Sequence, residues 1–217
     1  VEKKTIDDAR AAYGDDLAVV CYVNSTAEVK AWSDVCVTSS NAEKICRELP
    51  QNTILFIPDV NLGRFISKQI PEKHVILNDG CCPCHQRIAP ADIEAIKGEY
   101  PDALVLAHPE CTEEVLELAD YIGSTKGIIE FTEKSDAQDF IIVTMAGVLR
   151  EMELRSAGGS KRFHFPRPLP TCADMDSVTI DKVIDCLEND FEGVSVSSEL
   201  QTPARRTLEL MLEYAAR

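Results

Sequence analysis

The sequence predicts an α/β protein of tandem three-layer αβα units with short parallel sheets. Three observations carry that prediction. Short runs rich in β-branched residues alternate with helix-length stretches along the chain. The runs are apolar on both faces, as in parallel strands covered by helices on two sides. The two halves of the chain can also be laid over one another with matching residues at nearly constant spacing.

Taken in order, the strand runs are 17–22, 35–38, 53–57, 74–77, 103–108, 140–144 and 162–165. Helical stretches lie between and after them at 6–13, 27–32, 42–49, 62–68, 90–99, 113–119, 147–155, 179–188 and 203–216. Two helix starts carry local signals. Ala89-Pro90-Ala91-Asp92 places proline in a first turn, and Thr112-Glu113-Glu114 reads as an N-cap followed by acids.

The repeat is specific. Ile6, Tyr13, Asp15 and Leu17 recur as Ile93, Tyr100, Asp102 and Leu104, each displaced by 87. Asp34, Thr38 and Ser39 fall opposite Asp120, Ser124 and Thr125, displaced by 86, and Gly63 opposite Gly147, displaced by 84. Cys82 stands 11 before Ile93, and Cys172 stands 11 before Val183. The same rule places a third cysteine 11 before Ile6, upstream of Val1. The units are read as 1–85 and 86–175, with a C-terminal helical segment at 176–217.

The chain has 217 residues, 45% of them hydrophobic, enough for one large core or two small ones. Its net charge of −15 argues against a nucleic-acid partner, which needs a basic face. It leaves room for a small anionic ligand, because helix N-termini bind anions without basic side chains. No run approaches the roughly 18 consecutive apolar residues of a membrane span. The start runs straight into helical pattern without an initiating Met, so it reads as trimmed and without a leader. Nine cysteines in a cytoplasmic chain point to metal, redox chemistry or buried thiols. Cys21, Cys36, Cys46 and Cys186 fall within predicted elements and read as small buried hydrophobes.

Ligands of open α/β sheets bind beyond the carboxyl ends of the strands. The polar clusters that fall there are Tyr22-Val23-Asn24-Ser25-Thr26, Thr38-Ser39-Ser40-Asn41, His108-Pro109-Glu110-Cys111 and Gly123-Ser124-Thr125. The hydroxyls suit helix capping, or an anion site shared by the two units. His108 and Glu110 form an acid/base candidate. Gly80-Cys81-Cys82-Pro83-Cys84-His85 is the densest soft-ligand cluster, open to three readings: a zinc site, a dithiol pair, or part of an iron–sulfur ligand set.

These segments, with Pro58-Asp59-Val60-Asn61-Leu62-Gly63, Ala119-Asp120-Tyr121-Ile122 and Cys172-Ala173-Asp174-Met175, resemble the quinolinate synthase family in order and across almost the whole chain. The resemblance implies two of three pseudo-threefold αβα units around a [4Fe–4S] cluster. Cys82 and Cys172 would be two of its three ligands, the third lying upstream of Val1. It implies a transferase of NAD biosynthesis that condenses iminosuccinate with dihydroxyacetone phosphate to quinolinate, the cluster acting as a Lewis acid. It implies substrate binding by Tyr22, Val23, Asn24, Ser39, His108, Pro109, Glu110 and Thr125, with Glu110, His108 and Tyr22 catalytic. It further implies small anionic substrates and L-aspartate oxidase as supplier of iminosuccinate, with no nucleic acid or membrane partner. Several features depart from the family. Its first unit is absent, Val143-Thr144-Met145 stands where Gly-Thr-Glu is common, and Asp174 replaces Asn. Cys81 and Cys84 flank the expected ligand as alternatives to it. The rival reading is a short, non-catalytic relative that binds a metal or metabolite. Loss of one unit from a threefold arrangement also predicts an exposed apolar face and self-association.

Overall fold

The computed structural model describes residues 1–156, 159–189 and 193–217. Helix α1 (Lys3–Tyr13) precedes strand β1 (Leu17–Tyr22), which is buried along its whole length. Ala18, Val20 and Tyr22 enter one core, and Leu17, Val19 and Cys21 enter the other. This is the two-residue period of a strand with helices on both faces. After α2 (Ala27–Trp32) come β2 (Val35–Val37), α3 (Ala42–Glu48), β3 (Thr53–Ile57), α4 (Val60–Gln69) and β4 (His74–Leu77). The four strands form a parallel sheet in the order β2-β1-β3-β4.

The second unit repeats this plan. After short α5 (Pro83–Gln86), which follows β4, α6 (Pro90–Glu99) leads to β5 (Leu104–Ala107), α7 (Glu113–Leu116), β6 (Tyr121–Ile122), α8 (Thr125–Lys134) and β7 (Asp139–Val143). A 3-10 turn at Ala146–Val148, α9 (Leu149–Arg155) and β8 (Arg162–His164) complete a parallel sheet in the order β6-β5-β7-β8. Val105 and Ala107 face one core while Leu104 and Leu106 face the other. The architecture is the predicted tandem α/β fold.

The sequence repeat is also a repeat of hydrogen bonds. The Asp34 amide donates to the Val19 carbonyl, and its carboxylate accepts the Val19 amide at 2.7 Å. Asp120 does the same to Val105 at 2.8 Å. Ile6 and Ile93 are each 1% exposed beneath their sheets. The Val60 amide donates to the Gly80 carbonyl, and the Ala146 amide to that of Pro170. These bonds tie the loop before each repeated cysteine to the loop after the third strand. Cys82 is the N-cap of α5, and Cys172 is the N-cap of α10 (Ala173–Asp176). Their carbonyls accept from Gln86 and Asp176 at 2.9 and 2.8 Å.

Several expectations need correction. Helix α8 is absent from the predicted elements, although Ser124 caps it at Gly127 and its Ile128, Ile129 and Thr132 are buried. The helix expected at 113–119 ends at Leu116, because the amides of Leu118 and Ala119 switch to carbonyls three residues back. The last helix, expected from Pro203, starts five residues earlier as α12 (Ser198–Ala215). Proline forfeits one amide bond there without ending the helix, since α12 is held by tertiary packing. It lies on α2, α3 and β2 and adds Leu208, Met211 and Tyr214 to the cores of the first sheet, covering its β2 edge. Cys21, Cys36 and Cys46 are buried as expected, but Cys186 is exposed. It sits on α11 (Ile180–Glu188), whose apolar face has no cover among the described residues: Ile180 is 71% and Leu187 82% exposed. Among the described residues no helix is long and apolar enough to cross a membrane.

Candidate functional site

Both sheets present the carboxyl ends of their central strands to one cleft of about 590 Å³. Tyr22 ends β1, Ser39 follows β2, and His108 and Glu110 follow β5. Thr144 follows β7, and Ser124 caps α8. Of the residues singled out by sequence, Tyr22, Asn24, Ser39, His108, Glu110 and Thr125 line this cleft. Val23 instead packs against the first core, and Pro109 is buried outside the lining. A second cavity of about 560 Å³ lies between α6 and β8, where Tyr100 stacks on His164 at 3.8 Å. It gathers none of the predicted residues.

The floor of the cleft is a buried polar trio. His85 and His108 stack with ring centroids 4.9 Å apart. His108 Nδ1 accepts the Glu110 amide at 3.3 Å, which leaves its Nε2–H for Ser39 Oγ at 3.3 Å. Glu110 Oε2 lies 3.2 Å from that same Nδ1 and 3.7 Å from Nδ1 of His85. Burial pushes His85 down to about 4 and His108 down to about 3, the latter aided by its neighbour imidazole. Burial, reinforced by the Asp59 carboxylate, pushes Glu110 up to about 8. At neutral pH the imidazoles are therefore uncharged and Glu110 carries a proton facing an imidazole lone pair. Burial, and then Glu110, also push the Tyr22 phenol up, so it remains a hydroxyl.

Asp59 organises the neighbouring turn. It caps α4 by accepting the Leu62 amide at 2.7 Å, and its other oxygen accepts the Cys82 amide at 2.8 Å. Asn61, the second residue of α4, donates to the Glu110 carbonyl at 3.1 Å and so joins the two units. These bonds bring Cys82 Sγ to 3.1 Å from His85 Nδ1. Burial pushes the Cys82 thiol up to about 11, with Glu110 adding to the shift. Cys84 is buried and turns toward the Cys172 loop, whose charge adds to the burial that raises its own thiol. Arg87 reaches the Thr171 carbonyl in that loop at 3.4 Å. Cys81 is exposed. Among the described residues the one set of three metal-capable side chains is therefore Cys82, His85 and Glu110, not a four-ligand set within 81–85.

His85 and Thr144 are cleft residues that the sequence reading did not assign there. Two signals were available. The three-residue spacing from Cys82 puts His85 on the same side of one helical turn, and Thr144 follows a strand at its carboxyl end.

The chain matches the family described as quinolinate synthetase A protein over residues 1–213. It is 44% identical over 213 residues to a quinolinate synthase of Caldicellulosiruptor bescii, covering 98% of this chain and 69% of that protein. A quinolinate synthase of Fusobacterium nucleatum subsp. nucleatum is 46% identical over 212 residues, 98% of this chain and 70% of the relative. That of Caldicellulosiruptor saccharolyticus is 42% identical over 215 residues, 99% and 70% respectively.

Proposed function

The chain belongs to the quinolinate synthetase A family, and we propose that its cleft is the part of a quinolinate-forming site contributed by two of three αβα units. The observation that carries this is the convergence of Tyr22, Asn24, Ser39, His108, Glu110 and Thr125 from equivalent strand ends on one cavity. In this reading the reaction condenses iminosuccinate with dihydroxyacetone phosphate, both small anions, and L-aspartate oxidase supplies the first. The units correspond to 1–85 and 86–175, with 176–217 as a C-terminal segment. A chain whose nine cysteines are all free thiols suits the reducing cytoplasm.

The donor set fits part of a [4Fe–4S] site. Cys82 and Cys172 are half-buried thiols at the N-caps of equivalent four-residue helices, whereas Cys21, Cys36, Cys46 and Cys111 are locked in the cores. Cys81 is exposed and Cys84 is buried outside the set formed by Cys82, His85 and Glu110, which favours Cys82 as the ligand of this turn. When bound, such a cluster supplies a Lewis acid. The chain's own residues would do the rest. The neutral Glu110 carboxyl is placed to give and retake a proton at Oε2, with His108 Nδ1 as its nearest exchange partner. Tyr22 and Ser39 orient substrate oxygens. Ser124, Thr125 and Lys126 at the start of α8 offer hydroxyls and one cation to a carboxylate or phosphate.

Protein expressed from the complete gene under anaerobic conditions should form quinolinate from the two substrates. Cys82→Ala and Cys172→Ala should each lower its iron content. Absence of product from protein carrying a full cluster would overturn the reading, and iron unchanged by both substitutions would overturn the ligand assignment.

A further inference from the structure

His85 and Glu110 of the cleft floor, together with the neighbouring Cys82, have a second capability that a cluster does not explain. Cys82 Sγ, His85 Nδ1 and one Glu110 oxygen lie within 4.8 Å of one another. The sulfur–nitrogen edge is 3.1 Å and the nitrogen–oxygen edge 3.7 Å. A tetrahedral ion with metal–ligand bonds of about 2.0–2.3 Å needs ligand–ligand edges of roughly 3.3–3.8 Å. Small rotamer shifts therefore close the cage. Thiolate, imidazole and carboxylate together suit a borderline divalent cation.

Each ligand is also held from behind. Thr144 Oγ1 lies 2.9 Å from His85 Nε2; when that nitrogen carries the proton, the Nδ1 lone pair faces Cys82 and Glu110. The Cys82 amide is anchored on Asp59 at 2.8 Å, and the Glu110 carbonyl on Asn61 at 3.1 Å. His85 and Glu110 are 6% and 7% exposed, so both are fixed by packing as well. Two of the three, His85 and Glu110, line the cleft, which leaves room for a fourth, exchangeable ligand.

We propose that Cys82, His85 and Glu110 form a mononuclear site for a borderline divalent cation such as Zn²⁺, with its fourth position open to the cleft. Metal binding displaces the Cys82 thiol proton and the Glu110 carboxyl proton to solvent, and no electron transfer is involved. The site uses His85 and Glu110 but not Cys172, so it is distinct in composition from a cluster site. Competition between the two, and loss of Glu110 as a proton carrier when the ion is bound, rest on the reading of Cys82 as a cluster ligand; the site itself does not.

The test is an anaerobic titration of the reduced, metal-free 217-residue chain with Co²⁺, followed by displacement with Zn²⁺. Binding at one equivalent is expected, with a thiolate-to-cobalt charge-transfer band and the intense visible bands of four-coordinate cobalt. Cys82→Ser should abolish the charge-transfer band. His85→Gln and Glu110→Gln should each weaken binding at least tenfold, and Thr144→Val by about 10–100-fold through the second shell. Cys172→Ser should leave affinity and spectrum unchanged, and circular dichroism confirms the fold of each variant. A missing charge-transfer band overturns the site, as does a band lost equally in Cys172→Ser. So does affinity indifferent to both His85→Gln and Glu110→Gln in folded protein. Cobalt binding by this chain, with no cluster assembled in protein from the complete gene, would overturn the cluster and leave this site standing, and the reverse result would do the opposite.

Discussion

His85 and Thr144 are 59 residues apart, on opposite repeats, and their side chains meet at 2.9 Å. The contact joins the short helix after β4 of one unit to the end of β7 in the other. With Asn61 on the Glu110 carbonyl, it forms a polar seam between the units at the cleft floor. A buried polar contact of this kind fixes geometry more than it adds net stability, because its value lies in what remains when one partner is lost.

Thr144→Val should therefore leave His85 Nε2 buried without a partner. A loss of about 1–3 kcal/mol is expected in urea unfolding. Thr144→Ser, which keeps the hydroxyl, should lose less than half of that. Equal stability of the valine variant and the parent would mean that the bond is not formed in solution.

Asp59 serves α4 and the Cys82 turn with one oxygen each. Asp59→Ala should cost about 0.5–2 kcal/mol for the cap alone, the usual range for Asp-to-Ala changes at N-caps. It should also free the turn. Alkylation of Cys82, followed by mass spectrometry, should accelerate more than alkylation of Cys172. Parallel changes at both cysteines would indicate general loosening instead.

Asp139 supplies the clearest pH dependence remote from the cleft. It accepts from Arg162 Nε at 2.7 Å and from His164 Nε2 at 2.9 Å, and the Arg162 bonds, then His164, hold it down at about 2. A depressed carboxylate contributes stability that is complete above its unfolded pKa of 3.8 and is lost as pH falls toward 2. Arg162 is largely exposed, so the contribution is discounted to about 1 kcal/mol. Asp139→Asn should lose that amount at pH 7, and the deficit should shrink to less than half at pH 2 and vanish below it. A deficit that persists unchanged at pH 2 would assign the effect to packing rather than charge.

The exposed face of α11 predicts concentration-dependent self-association of this chain. Val178, Ile180, Ile184 and Leu187 are 69%, 71%, 44% and 82% exposed. A contiguous apolar surface of this kind favours association. Sedimentation velocity should show oligomers that Ile184→Glu with Leu187→Glu disperses without lowering Tm. A parent chain that stays monomeric at all concentrations would refute the expectation.

Sequence reading reached the αβα class because strands apolar on both faces and helices of distinct period are local patterns. It missed α8, since Thr125 and Gly127 open that helix with weak formers and only the burial of Ile128 and Ile129 under β5 and β7 selects it. It misjudged Cys186 for the converse reason. The pattern of α11 is strongly amphipathic, but amphipathicity states which face seeks cover, not whether cover is present.

The sequence by itself determined the repeated unit, its strand ends and the two cysteines that cap equivalent helices, because each depends on residues near one another along the chain. Only the tertiary structure decided that Cys82 faces His85 and Glu110 while Cys84 turns to the Cys172 loop, and that Thr144 orients His85. Those choices depend on how two units dock across dozens of residues. The same docking excludes the water that would otherwise solvate the trio, and it thereby sets the charge states of His85, His108 and Glu110.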